Sequence, residues 1–226
     1  MRTLLYVPII HTSADLGSLA KDVERRGLEK FGENMWRDHL RTIDGLWDAL
    51  FLYFDSIKVS GAKIFQDGMF ADGDMGLKII QEGEKAGSKN HQLVSKLLRR
   101  GAILVKTEDF NLVKKERDRL LKMIRAKTTV EKIFGLFVYK STKKTLLKQR
   151  DEYIAQRIDL ALQEDETGIL FIGAYHDIKP RLPRDIKIKE IKDTRKIREY
   201  QALIPHYPKN KKRFEDLSGY LISKIG

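Results

Sequence analysis

The sequence predicts an α/β protein: a mainly parallel sheet flanked by helices, with any site built at the carboxyl ends of the strands. Two apolar runs carry this reading, residues 4–10 (LLYVPII) and 168–174 (GILFIGA). Both are too short for helices and rich in β-branched or aromatic side chains, as strands buried on both faces are. Each run leads into a histidine, His11 or His176. Between them, segments of helical period alternate with further short apolar runs, the pattern of βαβ crossovers.

The first strand ends at His11, and residues 15–30 follow as a polar helix with Asp15 or Ser18 at its N-cap. Trp36, Leu40, Ile43, Trp47, Leu50 and Phe54 recur at steps of four and three, which predicts an amphipathic helix burying one aromatic-rich stripe. Residues 57–65 read as a second strand, interrupted at Ser60-Gly61 and running into Gln66-Asp67-Gly68. Residues 72–89 are glycine-rich and predict a loop around a short helix. Their Asp72-Gly73-Asp74 lacks the remaining ligand positions of a calcium loop. Residues 92–99 predict a helix stopped by Gly101, and residues 102–106 a third strand ending in Thr107-Glu108-Asp109. A helix over 112–126 carries Lys and Arg on its outer face. Residues 128–140 fit helix or strand. Ser141 is the expected N-cap of a long helix to about residue 164, with Ile154, Ile158 and Leu162 stacked on one face. The final strand carries His176. Residues 1–178 then form the α/β core, and 179–226 a basic C-terminal extension packed on it.

Composition narrows the chemistry. The 226 residues suffice for one sizeable core. The absence of cysteine excludes disulfides, thiolate nucleophiles and Cys-based zinc sites, and fits a cytoplasmic protein. No apolar run approaches the roughly 20 residues that span a bilayer. The N-terminal run is no signal peptide, since it contains Pro8 and meets His11 and Asp15 where a small-residue cleavage site would stand. The formal charge of +12 is concentrated: between Lys179 and Arg213 there are 13 Lys and Arg against 4 Asp and Glu. Such clustering predicts an anionic partner, nucleic acid or another polyanion, as the alternative to an enzyme. Against it, Tyr200 and Tyr207 alone make a thin stacking platform.

In a parallel sheet His11, Asp67, Glu108 and His176 share the carboxyl edge, where ligands bind. Two imidazoles and one or two carboxylates make a nitrogen/oxygen site for Zn²⁺, Mn²⁺ or Fe²⁺. Without a metal, the same groups can serve as general base and orienting carboxylate for a water nucleophile. Gly173, in Gly173-Ala174-Tyr175-His176, permits close backbone approach or positive φ, so that the imidazole can turn into the crevice.

Arg150-Asp151-Glu152-Tyr153-Ile154-Ala155, a long helix, and then a strand ending in Gly173-Ala174-Tyr175-His176 resemble the C-terminal signature of the TraB/PrgY/Tiki-like family. Pro8-Ile9-Ile10-His11 stands where that family has its first Gly-x-x-His, and Asp67 where it has Glu. The resemblance covers residues 3–11, 57–68 and 148–178, and extends to erythromycin-esterase and ChaN-like folds. It implies a metal-dependent hydrolase of peptide, ester or amide bonds acting on a small-molecule or peptide substrate. His11 and His176 would be metal ligands or catalytic histidines, and Asp67 an acid/base or third ligand. Arg150 would clamp an anion; joined to the strand-edge reading, it would stabilise developing negative charge, with Glu108 assisting. The departures at Pro8 and Asp67 also admit a catalytically inactive scaffold of the same fold.

Overall fold

The structure is a computed structural model. It describes the backbone of residues 1–12, 14–15, 20–125 and 129–226, with side chains at all of these except 20, 23, 123–125 and 129–143. Five strands form one parallel sheet: β1 (Arg2–Ile9), β2 (Lys63–Gln66), β3 (Ile103–Leu104), β4 (Thr167–Gly173) and β5 (Ile186–Glu190), in the order β3-β2-β4-β1-β5. The helices are α1 (Ala20–Phe31), α2 (Glu33–Asp55), α3 (Gly73–Lys85), α4 (Lys89–Arg99), α5 (Phe110–Arg125), α6 (Thr129–Ala161), α7 (Thr194–Leu203) and α8 (Lys211–Ile222).

Alternation along the strands sends side chains to two layers. Leu5, Val7 and Ile9 of β1 and Phe171 of β4 pack with Trp47, Leu50 and Phe54 of α2, Leu93 of α4, Tyr200 of α7 and Phe214 of α8. Leu4, Tyr6, Leu170 and Ile172 face the other way, onto Ile154 and Ile158 of α6. Covered on both faces, the central strands read as continuous apolar runs. Pro8 fits inside β1 because the β5 pairing stops at Tyr6. The missing N–H would point toward that vacated side, so no ladder bond is lost.

Several elements differ from the sequence-based expectation. Residues 57–62 form a turn rather than a strand: Gly61 has φ +79°, the Ala62 N–H donates to Val59 O, and β2 begins only at Lys63. The stretch expected as a loop around a short helix is mostly the 13-residue α3. Ser141 starts nothing, since α6 already runs from Thr129 through it, and residues 129–140 are therefore helix. The proposed cap Ser18 lies outside the described residues. Asp15 precedes α1 and closes a short turn by accepting the Thr12 N–H at 2.6 Å.

The His176 strand is not the last. β5 follows at the edge, its Ile186 buried and its Lys187 exposed. Much of the basic cluster is thereby used within the protein. Lys179 pairs with Glu190, Lys192 Nζ donates to the carbonyls of Tyr220 and Ser223 at 2.9 and 2.7 Å, and Arg213 pairs with Glu199 at 2.6 Å. Among the described residues no helix is long and apolar enough to cross a membrane.

Candidate active site

The strand order places Glu108 (after β3), Asp67 (after β2), His176 (after β4) and His11 (after β1) in a row across the carboxyl edge. Asp67 is the hub. Its Oδ2 accepts the Gly173 N–H at 3.0 Å and lies 3.3 Å from His11 Nε2 and 3.4 Å from His176 Nε2. Its Oδ1 accepts from Arg150 at 2.6 Å.

Arg150 rises from α6 beneath this row and is buried. Its guanidinium donates to Asp67, to both oxygens of Glu108, and to Glu116 of α5. Glu108 also accepts the Gly68 N–H at 2.6 Å, which closes the β2 turn onto the β3 turn. With its donors engaged by three carboxylates, Arg150 acts as a clamp within the site, and Glu108, 1% exposed, is its anchor.

The next residue on α6 holds the second histidine. Asp151 accepts from His176 Nδ1 at 2.5 Å and from the Asp177 N–H at 2.9 Å. Arg198 of α7 donates to the carbonyls of Ala174 and His176, fixing the turn from behind. Sequence reasoning missed Asp151, Glu116 and Arg198 as site residues. Asp151 was visible inside the Arg150-Asp151 motif, whereas Glu116 and Arg198 carry no signal that separates them from surface charges.

The electrostatics follow from these contacts. Burial opposes charge on His176, but the Asp67 carboxylate and the hydrogen bonds to Asp151 and Asp67 outweigh it and push the pKa up to about 10. Burial likewise opposes charge on His11, and its hydrogen bond to Asp67, with the charges of Asp67 and Asp15, overcomes this to raise the pKa. Burial works against the Asp67 anion, yet His176, Arg150 and His11 together hold its pKa well below the usual carboxylate range. For Glu108 burial dominates and the pKa is raised despite Arg150. At neutral pH the site thus contains ionised Asp67, protonated His176 and the Arg150 cation. These partners also assign the tautomer of His11 in its neutral form: Nε2–H donates to Asp67, which leaves Nδ1 as the acceptor. The His11 side chain is 35% exposed while His176 is buried, so His11 is the imidazole open to solvent.

Gly173 is where it is because of close approach. A Cβ there would sit 3.0 Å from Asp67 Oδ2 and 3.6 Å from both His11 Nε2 and His176 Cδ2. Gly173→Ala is expected to displace Asp67 by a few tenths of an ångström. Any His11-dependent turnover should then fall at least about tenfold with little change in the urea midpoint, because positioning tolerances are tight; unchanged turnover would show that the contact is loose.

Among the described residues no group of three or more His, Asp or Glu is arranged to hold a metal ion. The expected donors His11, His176 and Asp67 are neighbours, but the Asp67 oxygens already accept from Gly173, Arg150 and the imidazoles. His176 is in addition fully engaged between Asp67 and Asp151. As placed, these side chains satisfy one another through hydrogen bonds. No family model, curated protein or solved structure matches the chain.

Proposed function

We propose that the chain is a hydrolase with a TraB/Tiki-like core, cleaving an ester, amide or peptide carbonyl by metal-free histidine chemistry. One observation carries the reading: a partly exposed His11 held by ionised Asp67, whose own charge is fixed by Arg150 and His176. His11 Nδ1 takes a proton from water, and the water oxygen attacks the carbonyl carbon while the C=O π pair moves to oxygen. As that pair returns, the bond to the leaving group breaks, and the leaving group takes the proton back from His11. Asp67 keeps the imidazole in one tautomer and offsets the imidazolium charge, as a carboxylate does for a triad histidine.

The test is turnover of p-nitrophenyl acetate, an amino-acid anilide and a fluorogenic peptide by the purified protein, with and without chelator. Expected is turnover that survives chelation and drops about 10²–10⁴-fold in His11→Asn, with the circular dichroism unchanged. Loss on chelation with recovery on adding Zn²⁺, Mn²⁺ or Fe²⁺ would replace this reading with the metal-dependent one. Turnover no better than His11→Asn on all three substrates would end the hydrolase reading in favour of an inactive scaffold.

The polyanion reading keeps one local observation. A shallow basic cavity of about 320 Å³ is lined by Lys209, Lys211, Lys212 and Arg213, with Asn210 and Asp216. Affinity for a nucleic acid falling steeply with salt would support it.

A further inference from the structure

The turn after β1 presents a second carboxylate to the other side of the His11 ring. Asp15 Oδ2 lies 3.9 Å from His11 Nδ1, beyond direct hydrogen bonding but within reach of its charge. The Asp15 side chain is 4% exposed, and both of its oxygens are occupied. Oδ2 accepts the Thr12 N–H at 2.6 Å and the Thr12 hydroxyl at 2.9 Å, while Oδ1 accepts from Ser88 Oγ. Ser88 is fully buried and is the N-cap of α4, accepting the His91 N–H at 3.1 Å.

Capping α4 needs no more than that one bond. Ser88 Oγ nonetheless lies 2.7 Å from His91 Nδ1, and Gln66 Nε2 lies 3.4 Å from His91 Nε2. Since Ser88 gives its proton to Asp15, His91 must donate from Nδ1 and accept from Gln66 at Nε2. The His91 ring also lies flat against Gly83 of α3, where a Cβ would come within 2.4 Å of it. The path Gln66, His91, Ser88, Asp15, His11 and Asp67 therefore returns to its start, because Gln66 and Asp67 are adjacent in β2 and its turn. Three loops far apart in sequence converge on one imidazole.

We propose that Asp15 is a positioning residue for His11, held in place by Ser88 and His91. Its charge faces the nitrogen on which the proton arrives and favours the imidazolium that forms there, while Asp67 holds the opposite side of the ring. The proposal rests on the reading of His11 as the base. Its sequence signal was absent, since an aspartate before a helix reads as a cap.

The test compares Asp15→Asn, Ser88→Ala and His91→Gln by two readouts. The first is the His11 tautomer from ring ¹⁵N shifts, which needs no substrate. The second is p-nitrophenyl acetate kinetics. Expected for Asp15→Asn is a His11 tautomer ratio shifted toward Nε2–H, since the carboxylate that draws a proton to Nδ1 is gone, and a kcat lower by about 10- to 100-fold with KM nearly unchanged. Ser88→Ala and His91→Gln should shift both in the same direction by less, and Asp15→Glu should recover part of kcat. A His11 tautomer and kcat unmoved in folded Asp15→Asn would overturn the proposal. Wild-type protein that shows the tautomer effect but no turnover would leave Asp15 positioning His11 and refute only the hydrolase reading. If Asp15→Asn fails to fold, Ser88→Ala decides the matter, because it releases Asp15 Oδ1 and leaves the charge in place; an unchanged tautomer there overturns the proposal.

Discussion

Replacing Arg150 with Met is expected to destabilise the protein by about 3–5 kcal/mol, measured by urea unfolding at pH 7. The size follows from what remains. Asp67 and Glu108 are buried, and Glu116 is three-quarters buried, so removing the one cation they share leaves Glu108 and Glu116 with no counter-charge and Asp67 with the imidazoles alone. Burial already raises the Glu108 pKa, so this residue is the first of the cluster to accept a proton when Arg150 is gone. The penalty should therefore shrink between pH 7 and pH 5. Arg150→Lys should fall between wild type and Met, since an ammonium supplies charge but cannot fork to three carboxylates at once. A Met variant within 1 kcal/mol of wild type would show that the cluster is far better solvated than its burial implies.

The second large effect is a pH dependence. The His176 pKa lies at about 10 in the folded protein against an ordinary 6.5. A pKa raised by folding means that the folded state holds the proton more tightly. The resulting stabilisation is complete below about pH 6.5 and is lost as pH rises through 10. Between these limits one proton's difference gives a slope of up to about 1.4 kcal/mol per pH unit. His11, also raised, slopes the same way. Lys192 opposes both, because burial and then Lys196 lower its pKa to about 8, so the cost of keeping it charged lapses between about pH 8 and 10.5. The informative quantity is thus the difference between wild type and His176→Gln. That difference should be largest near pH 6.5 and should shrink toward pH 10. A constant difference across this range would mean that His176 is neutral in the folded protein.

Much of the framework is legible in the residues. β1 and β4 announce themselves because both faces are covered, and the polar residues closing strands had to lie at one edge once the strands were parallel. That argument reaches His11, Asp67, Glu108 and His176 without any knowledge of strand order. It fails for elements whose apolar signal is halved by exposure. β5 alternates Ile and Lys at the sheet edge, so its residues count as a basic tail until a neighbouring strand is known. Residues 57–62 fail for the opposite reason, being apolar enough for a strand but turned by Gly61. The partners of the site residues are harder still. Arg150 finds Glu116 because α5 and α6 pack side by side, and Asp15 finds Ser88 across 73 positions of chain. Such pairings belong to tertiary geometry and leave no local pattern.

Strand order also bears on how the molecule comes into being. β1 has only β4 and β5 as neighbours, and β4 wedges between β1 and β2. During synthesis the first strand therefore has no partner until residues 167–173 are made, while β2 and β3 can pair well before that. His11 and Asp67 are brought together by the last central strand to arrive. Long-range parallel pairing of this kind is slow and leaves apolar edges open in the meantime. The Leu-Leu-Tyr-Val segment of β1 stays without its native partner until residue 173 is made, and the His11–Asp67 pairing exists only once the sheet is closed.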